Sequence, residues 1–259
     1  MKKIKKYLWK TLPKRFSKNI KTTYFKMSSL GSHRYYGGNY ECPFCNKTYL
    51  KFLSYGSRDN CICPRCRSTD RERLLYLYLK ENTQIFNNTY NVLHIAPEKN
   101  LRRVFEKNEN IRYITGDLNP ELYDADVKID LTNIEFKDNS FDFVIANHVL
   151  EHIPDDIKAI KEVFRVLKPN GLAILQVPIS PLLNVTYEDR NIISWNDREK
   201  AYGQGDHVRS YGLDYPSRLQ GVGFIIEKYS YISQKGEELT RKFGLIGLDD
   251  VYACRKCIV

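Results

Sequence analysis

Two Cys-x-x-C pairs, Cys42-Pro-Phe-Cys45 and Cys63-Pro-Arg-Cys66, stand seventeen residues apart. Each knuckle turns two thiolates toward one point, and two knuckles supply the four soft donors that tetrahedral zinc takes. With every position filled by protein, such a Zn2+ is structural and keeps no open position for chemistry. Cys61 is a fifth thiol nearby that can stand in for Cys63, although Cys63 and Cys66 keep the knuckle spacing. A third pair, Cys254-Arg-Lys-Cys257, has no further ligands near it and reads as buried and surface thiols. The other dense segment is Gly203-Gln-Gly-Asp206-His207-Val-Arg209-Ser-Tyr211-Gly212. His207 can accept a proton near neutral pH, oriented by Asp206 or another carboxylate. Arg209 and Tyr211 are the candidates to hold an anionic or polar substrate group. The flanking glycines suit a lid that bends; a polar loop that fastens itself to the sheet is the other reading.

These groups need a scaffold, and residues 141–178 describe it. Phe141 to Ala146 is an apolar, β-branched and aromatic run of strand length, ending in Asn147 and His148. Open α/β sheets place ligands at the carboxyl ends of such strands. Ile157, Ile160, Phe164 and Leu167 recur at helical spacing, Pro169-Asn170-Gly171 is a stop signal, and Leu172 to Val177 is the next strand. Val92 to Ile95 and Ile111 to Gly116 are strands with helical residues from Leu101 to Lys107 between them. Val127 to Leu131, Gly223 to Ser230 and Asp250 to Cys254 add β-rich pieces. The alternation predicts an α/β domain with a doubly wound, mostly parallel sheet.

The phrases FDFVIANHVLEH and RVLKPNG resemble the late motifs of class I S-adenosylmethionine-dependent methyltransferases of the type 11 kind. LHIAPE, HVLEH and GQGDHVRSYG together resemble a bacterial subgroup of that family with a ribbon-like module in front. The resemblance implies a seven-stranded Rossmann-like sheet with an antiparallel last strand, preceded by a small N-terminal zinc ribbon. It implies S-adenosyl-L-methionine as co-substrate. Asp117, with Leu118 beside it, would then meet the ribose, because an ionised carboxylate accepts both hydroxyl protons. Asp130 and Leu131 resemble the adenine-contacting pair, and Asn147 and His148 would lie at the methionine or methyl end. The first loop departs from the pattern: His94-Ile-Ala96-Pro97-Glu98 lacks the usual Gly-x-Gly. Ala96 is small, Pro97 has no N–H to give, and Glu98 can hold the cofactor's ammonium. Within this reading the reaction is O-methylation of a small molecule or a surface-polysaccharide sugar, with His207 as base, assisted by Asp206 and His148. An RNA methyltransferase and a non-catalytic scaffold are the alternatives.

At 259 residues the chain holds one full-sized domain and a small module. The expected organisation is a basic amphipathic arm over 1–37, a zinc-ribbon-like module over 38–70 and a linking helix over 71–84. The methyltransferase domain then runs over 85–259, with a lid insertion at about 179–213. The net charge of +10 belongs to the arm: residues 1–40 hold eleven of the 41 Lys and Arg and no acid, so the remainder balances thirty basic against 31 acidic groups. Ile4, Leu8 and Leu12 share a helical face beside Tyr7 and Trp9. Such an arm over 1–26 suits an anionic membrane surface, nucleic-acid phosphates or plain solvation. The neutral body argues against an RNA enzyme. No apolar run reaches the ~18 residues of a membrane span, no secretory signal opens the chain, and paired cysteines fit a reducing compartment. The expected location is the cytoplasm, with the inner membrane face as a peripheral site. Oligomeric state is not legible.

Overall fold

The computed structural model describes residues 34–55, 58–245 and 249–257. The arm expected over 1–37 lies almost wholly outside these residues, and its stretch 1–26 entirely so. Among the described residues, no helix is long and apolar enough to cross a membrane. The chain divides into two compact units, one running to Arg73 and taking in Glu237–Ile246, the other comprising Leu74–Gly236 and Gly247–Val259. The division falls inside the helix Asp70–Asn82, where a linking helix over 71–84 is expected. A later segment therefore returns to the first unit, which boundaries drawn at 70 and 85 do not express.

The first unit is two small hairpins. Strand β1 (Tyr36–Cys42) pairs antiparallel with β2 (Lys47–Tyr49), and β3 (Leu53–Tyr55) with β4 (Arg58–Ile62). Tyr49 and Tyr55 thus lie in different sheets, whereas Tyr49 to Tyr55 reads in sequence as one hairpin; the break falls at Phe52, which turns into the core with Tyr49, Cys42 and Cys63. So small a core cannot stabilise a fold by burial alone and needs a covalent or metal staple. Arg73 lies fully buried in it. Its guanidinium donates to the carbonyls of Ser68 (2.6 Å), Cys61 (3.1 Å), Phe243 (2.7 Å) and Gly244 (2.8 Å). It also stacks 4.4 Å from the centre of the Phe52 ring.

The second unit is a seven-stranded sheet. Its strands are β5 (Tyr90–Ile95), β6 (Ile111–Asp117), β7 (Val127–Lys128), β8 (Phe141–Ala146), β9 (Leu167–Ile174), β10 (Ile225–Ser230) and β11 (Asp250–Arg255). The order is β10-β11-β9-β8-β5-β6-β7, with β11 antiparallel to both its neighbours and the other pairings parallel. The middle strands are apolar because helices cover both faces. In the helix Asp156–Val166, Ala159, Ile160, Val163 and Val166 form the buried stripe, and the Asp155 carboxylate caps its start by accepting from the Lys158 N–H. This helix ends one residue earlier than its periodicity suggests. Leu167 already pairs with Phe141 as the first residue of β9, and Pro169-Asn170-Gly171 bulges within that strand, with Asn170 at φ 61°.

The strand order reverses direction between β5 and β8. Ile95 pairs with Ala146 there, so the segments leaving these two strands part and open a crevice at the carboxyl edge. That is where doubly wound sheets bind ligands.

Candidate active site and cysteine centre

A cavity of about 390 Å³ occupies this crevice, within the roughly 300–1,000 Å³ of small-molecule sites. Ala96 and Pro97 after β5, Asp117 and Leu118 at the end of β6, and Asp130 and Leu131 after β7 form one side. His148, Val149, His152 and Ile153 after β8 form the other, and Asp206 reaches it from the insertion. Asp117 is 8% exposed, and its Oδ1 accepts the Asn119 N–H at 2.7 Å. Asp130 accepts from the Thr132 N–H and hydroxyl, both at 2.8 Å, and these bonds hold its carboxyl below the usual range. The two carboxylates and the walls of Ile95, Ile129 and Leu131 are the donor-accepting and apolar surfaces that a nucleoside requires. The opposite end is imidazole-rich.

Residues 80–175, which carry both sides of this crevice, match the family model for a methyltransferase domain.

Curated relatives match over stretches of 54 to 133 residues. Phosphoethanolamine N-methyltransferase 2 of Caenorhabditis elegans is 27% identical over 133 residues, which is 50% of this chain and 27% of that protein. The demethylmenaquinone methyltransferase of Staphylococcus epidermidis is 43% identical over 54 residues, 21% of this chain and 22% of that one. The matches thus span about a quarter of the length of these curated relatives. Among solved structures, an S-adenosylmethionine-dependent methyltransferase from Mesorhizobium loti is similar at a TM-score of 0.48 and 14% identity, covering 72% of this chain and 98% of its own.

The glycine-free loop after β5 makes its turn with Ala96, at φ 48°. The Ala96 N–H is fixed to the Gly116 carbonyl at 2.8 Å. A non-glycine residue there stores strain of about 1–2 kcal/mol, of the kind that collects at ligand sites. Ala96→Gly removes that strain while adding about 0.5–1 kcal/mol of unfolded-chain entropy. It is therefore expected to leave urea stability equal or up to about 1 kcal/mol higher and to keep ligand binding. Ala96→Val, β-branched at positive φ, is expected to lower stability by more than about 1–2 kcal/mol.

Glu98 is not among the cavity-lining residues. It accepts from His94 Nε2 at 2.7 Å and from the Asn147 side-chain amide, while His94 Nδ1 meets the Tyr113 hydroxyl at 2.8 Å. A neutral imidazole carrying its proton on Nε2 completes both contacts. Burial raises the Glu98 carboxyl, but the His94 and Asn147 bonds outweigh it and hold it below the usual range. Glu98 and Asn147 thus brace the loops after β5 and β8. Asn147 Oδ1 is buried and meets no hydrogen-bond donor among the described residues.

His148 sits at φ 56° with Nδ1 3.4 Å from Glu151 Oε1. His207 packs edge-on against His152, ring centres 4.9 Å apart. Burial lowers its imidazole, against the pull of Glu151 and Asp206. Asp206 engages His152 rather than His207, its carbonyl 3.1 Å and its carboxylate 3.7 Å from His152 Nδ1. Glu151 and His152 are the site residues that motif reading passed over. Both stand in the HVLEH phrase, of which only His148 is singled out as a site residue.

Arg209 and Tyr211, expected to hold substrate, instead lock the insertion to the sheet. Arg209 is 2% exposed and donates to the carbonyls of Leu150 (3.0 Å), Ile153 (2.6 Å) and Pro154 (2.9 Å) and to Glu188 (2.9 Å). It borders a second cavity of about 450 Å³ while its donors are spent on these partners. Tyr211 is fully buried, and its hydroxyl donates to Asp156 at 2.7 Å. The lid glycines are packing devices: Gly203, at φ 80°, closes the helix Trp195–Tyr202, and a Cβ on Gly205 would lie 2.3 Å from the Trp195 ring. Arg209→Met removes a buried donor shared by three carbonyls and the Glu188 carboxylate and is expected to cost about 3–5 kcal/mol in urea unfolding. Arg209→Lys restores little, since an ammonium cannot span the fork.

In the first unit, Cys42, Cys45, Cys63 and Cys66 bring their sulfurs within 4.8 Å of one another. Cys42 to Cys66 is 3.5 Å and Cys45 to Cys63 3.7 Å, close to the ~3.8 Å edge of a tetrahedron with 2.3 Å zinc–sulfur bonds. The two knuckles are built alike. Asn46 and Arg67, each following the second cysteine, adopt positive φ and donate their N–H to the carbonyls of Cys42 and Cys63. The Tyr49 hydroxyl lies 3.2 Å from Cys45, and that of Ser68 3.4 Å from Cys42 and 3.3 Å from Cys66. Cys61 stays outside the cluster, its thiol bonded to the Leu53 and Arg58 carbonyls. Cys254 is buried in β11, and burial pushes its thiol up.

Proposed function

We propose that this protein is an S-adenosylmethionine-dependent methyltransferase that methylates a hydroxyl of a small molecule or glycan. The observation that carries the reading is the cavity at the sheet's switch point, with Asp117 and Asp130 at one end and His148 and His152 at the other. Asp117 would receive the ribose hydroxyls, Leu131 and Asp130 the adenine, and the Asn147 end the methionine portion. When bound, the cofactor supplies an electrophilic methyl on a sulfonium. The chain's task is to align the acceptor, exclude water and take the acceptor's proton. His148, beside the Glu151 carboxylate and lining the cavity, is the base we favour over His207, which lies behind His152. Relatives named for phosphoethanolamine and demethylmenaquinone support a small acceptor.

The four thiolates would hold one structural Zn2+; their soft donor set and tetrahedral edges suit that ion. The positive residues 1–26 would keep the enzyme near anionic lipid at the cytoplasmic face, a reading supported by their composition.

The experiment is transfer of a labelled methyl group to fractionated extract, with small molecules, lipid-linked glycans and RNA assayed apart. Label in a small-molecule or glycan fraction, reduced about 10²–10⁴-fold by His148→Ala, is the expected result. Label confined to RNA, or none in any fraction, would overturn the assignment.

A further inference from the structure

We propose that Glu151, His152 and His207 bind one divalent transition-metal ion at the acceptor end of the cavity. Each offers a donor atom, and the three lie within 4.8 Å of one another. Glu151 is 2% exposed, and its Oε2 has no hydrogen-bond partner among the described residues. A buried carboxylate oxygen left without a donor is destabilising, and a cation removes that deficit. His152 Nδ1 lies 3.1 Å from the Asp206 carbonyl. Donating its proton there leaves Nε2 with the free lone pair, the arrangement usual for a metal-bound imidazole. The His152 and His207 rings stand 78° to each other, so two imidazoles are held together in a region that already contains a carboxylate.

The backbone fixes this grouping. The Val208 N–H donates to the Glu151 carbonyl at 2.9 Å, and Arg209 clamps the carbonyls of Leu150, Ile153 and Pro154. The turn Leu150–His152 and the insertion carrying His207 are thereby locked side by side. Two neutral imidazoles and one carboxylate leave a divalent ion with net positive charge and open positions. This donor set suits zinc, iron, nickel or manganese rather than the all-thiolate preference of the cysteine cluster. His152 lines the cavity, so the open positions face the acceptor. The role follows from, and rests on, the methyltransferase reading: the ion would hold and orient an acceptor oxygen beside His148.

The test titrates Mn2+ into the full chain and reads free Mn2+ by electron paramagnetic resonance. The protein is first dialysed against EDTA and given back one equivalent of zinc, which the thiolates take. The expected result is one bound Mn2+ per chain, weakened at least tenfold by Glu151→Gln. His207→Gln changes a half-buried residue of the insertion and reads the same loss should Glu151→Gln fail to fold. Mn2+ that stays free at millimolar concentration, or binding unchanged in the folded variants, overturns the site. Adenosylmethionine titrated into the same samples reports the methyltransferase reading separately. Cofactor binding without Mn2+ binding sinks the metal site alone, and Mn2+ binding without cofactor binding supports the site while sinking its assigned role.

Discussion

Removing metal from the Cys42–Cys45–Cys63–Cys66 cluster is expected to unfold the cysteine module. Structural zinc in such sites contributes about 10–16 kcal/mol of binding free energy that is also folding free energy. The module's own core is Tyr49 and Phe52 with the cysteines themselves, too little to stand alone. Four thiolates around one Zn2+ carry two net negative charges, and Arg73 is the buried cation beside them. Burial pulls its guanidinium below the usual value, while the charges at Cys42, Asp70, Cys63 and Cys66 oppose that shift. Chelation should therefore release one Zn2+ per chain and abolish hydrogen-exchange protection across β1–β4, with protection of β5, β8 and β9 retained. Cys63→Ser should do the same without a chelator. Arg73→Met, which removes a buried donor shared by four carbonyls, should cost about 3–5 kcal/mol. Exchange protection in β1–β4 that survives complete zinc removal would show that the cysteines are not a metal staple.

Asp117→Ala should weaken adenosylmethionine binding about a hundredfold with little effect on unfolding. The carboxylate ends β6, lines the cavity and spends one oxygen on the Asn119 N–H. Hydrogen bonds from ribose hydroxyls to a charged acceptor contribute about 1.5–3 kcal/mol each, and losing the pair accounts for the factor. Asp117→Asn keeps the shape and one acceptor, so it should retain part of the affinity. Calorimetry with adenosylmethionine separates the two variants. Equal affinity in wild type and Asp117→Ala would move the ribose elsewhere in the cavity.

Much of the scaffold was legible because its signals are local. Phe141 to Ala146 is one apolar run ending in two polar groups, and it is the strand observed. The Asp156–Val166 helix shows in its apolar spacing, and the helix expected over 71–84 runs from Asp70 to Asn82. Legibility failed where tertiary pairing decides. Leu167 fits the helical stripe but is taken by Phe141 across the sheet. Tyr49 to Tyr55 looks like one hairpin until Phe52 is drawn into the cysteine core.

At the site, positions at strand ends were readable, since Asp117, Asp130 and His148 all line the cavity. Long-range polar partners were not. Nothing local to Glu98 announces that Asn147 will occupy it, and nothing near Arg209 announces the carbonyls of Leu150, Ile153 and Pro154. Ala96 does with strain what glycine does freely, so the missing Gly-x-Gly misdirects a reading by residue type alone.

The most direct test is calorimetric titration of the intact protein with adenosylmethionine. The account predicts one site per chain with affinity in the micromolar range, weakened in the Asp117→Ala protein. Heat of binding that stays absent at millimolar ligand, with the protein folded and its zinc in place, would contradict it.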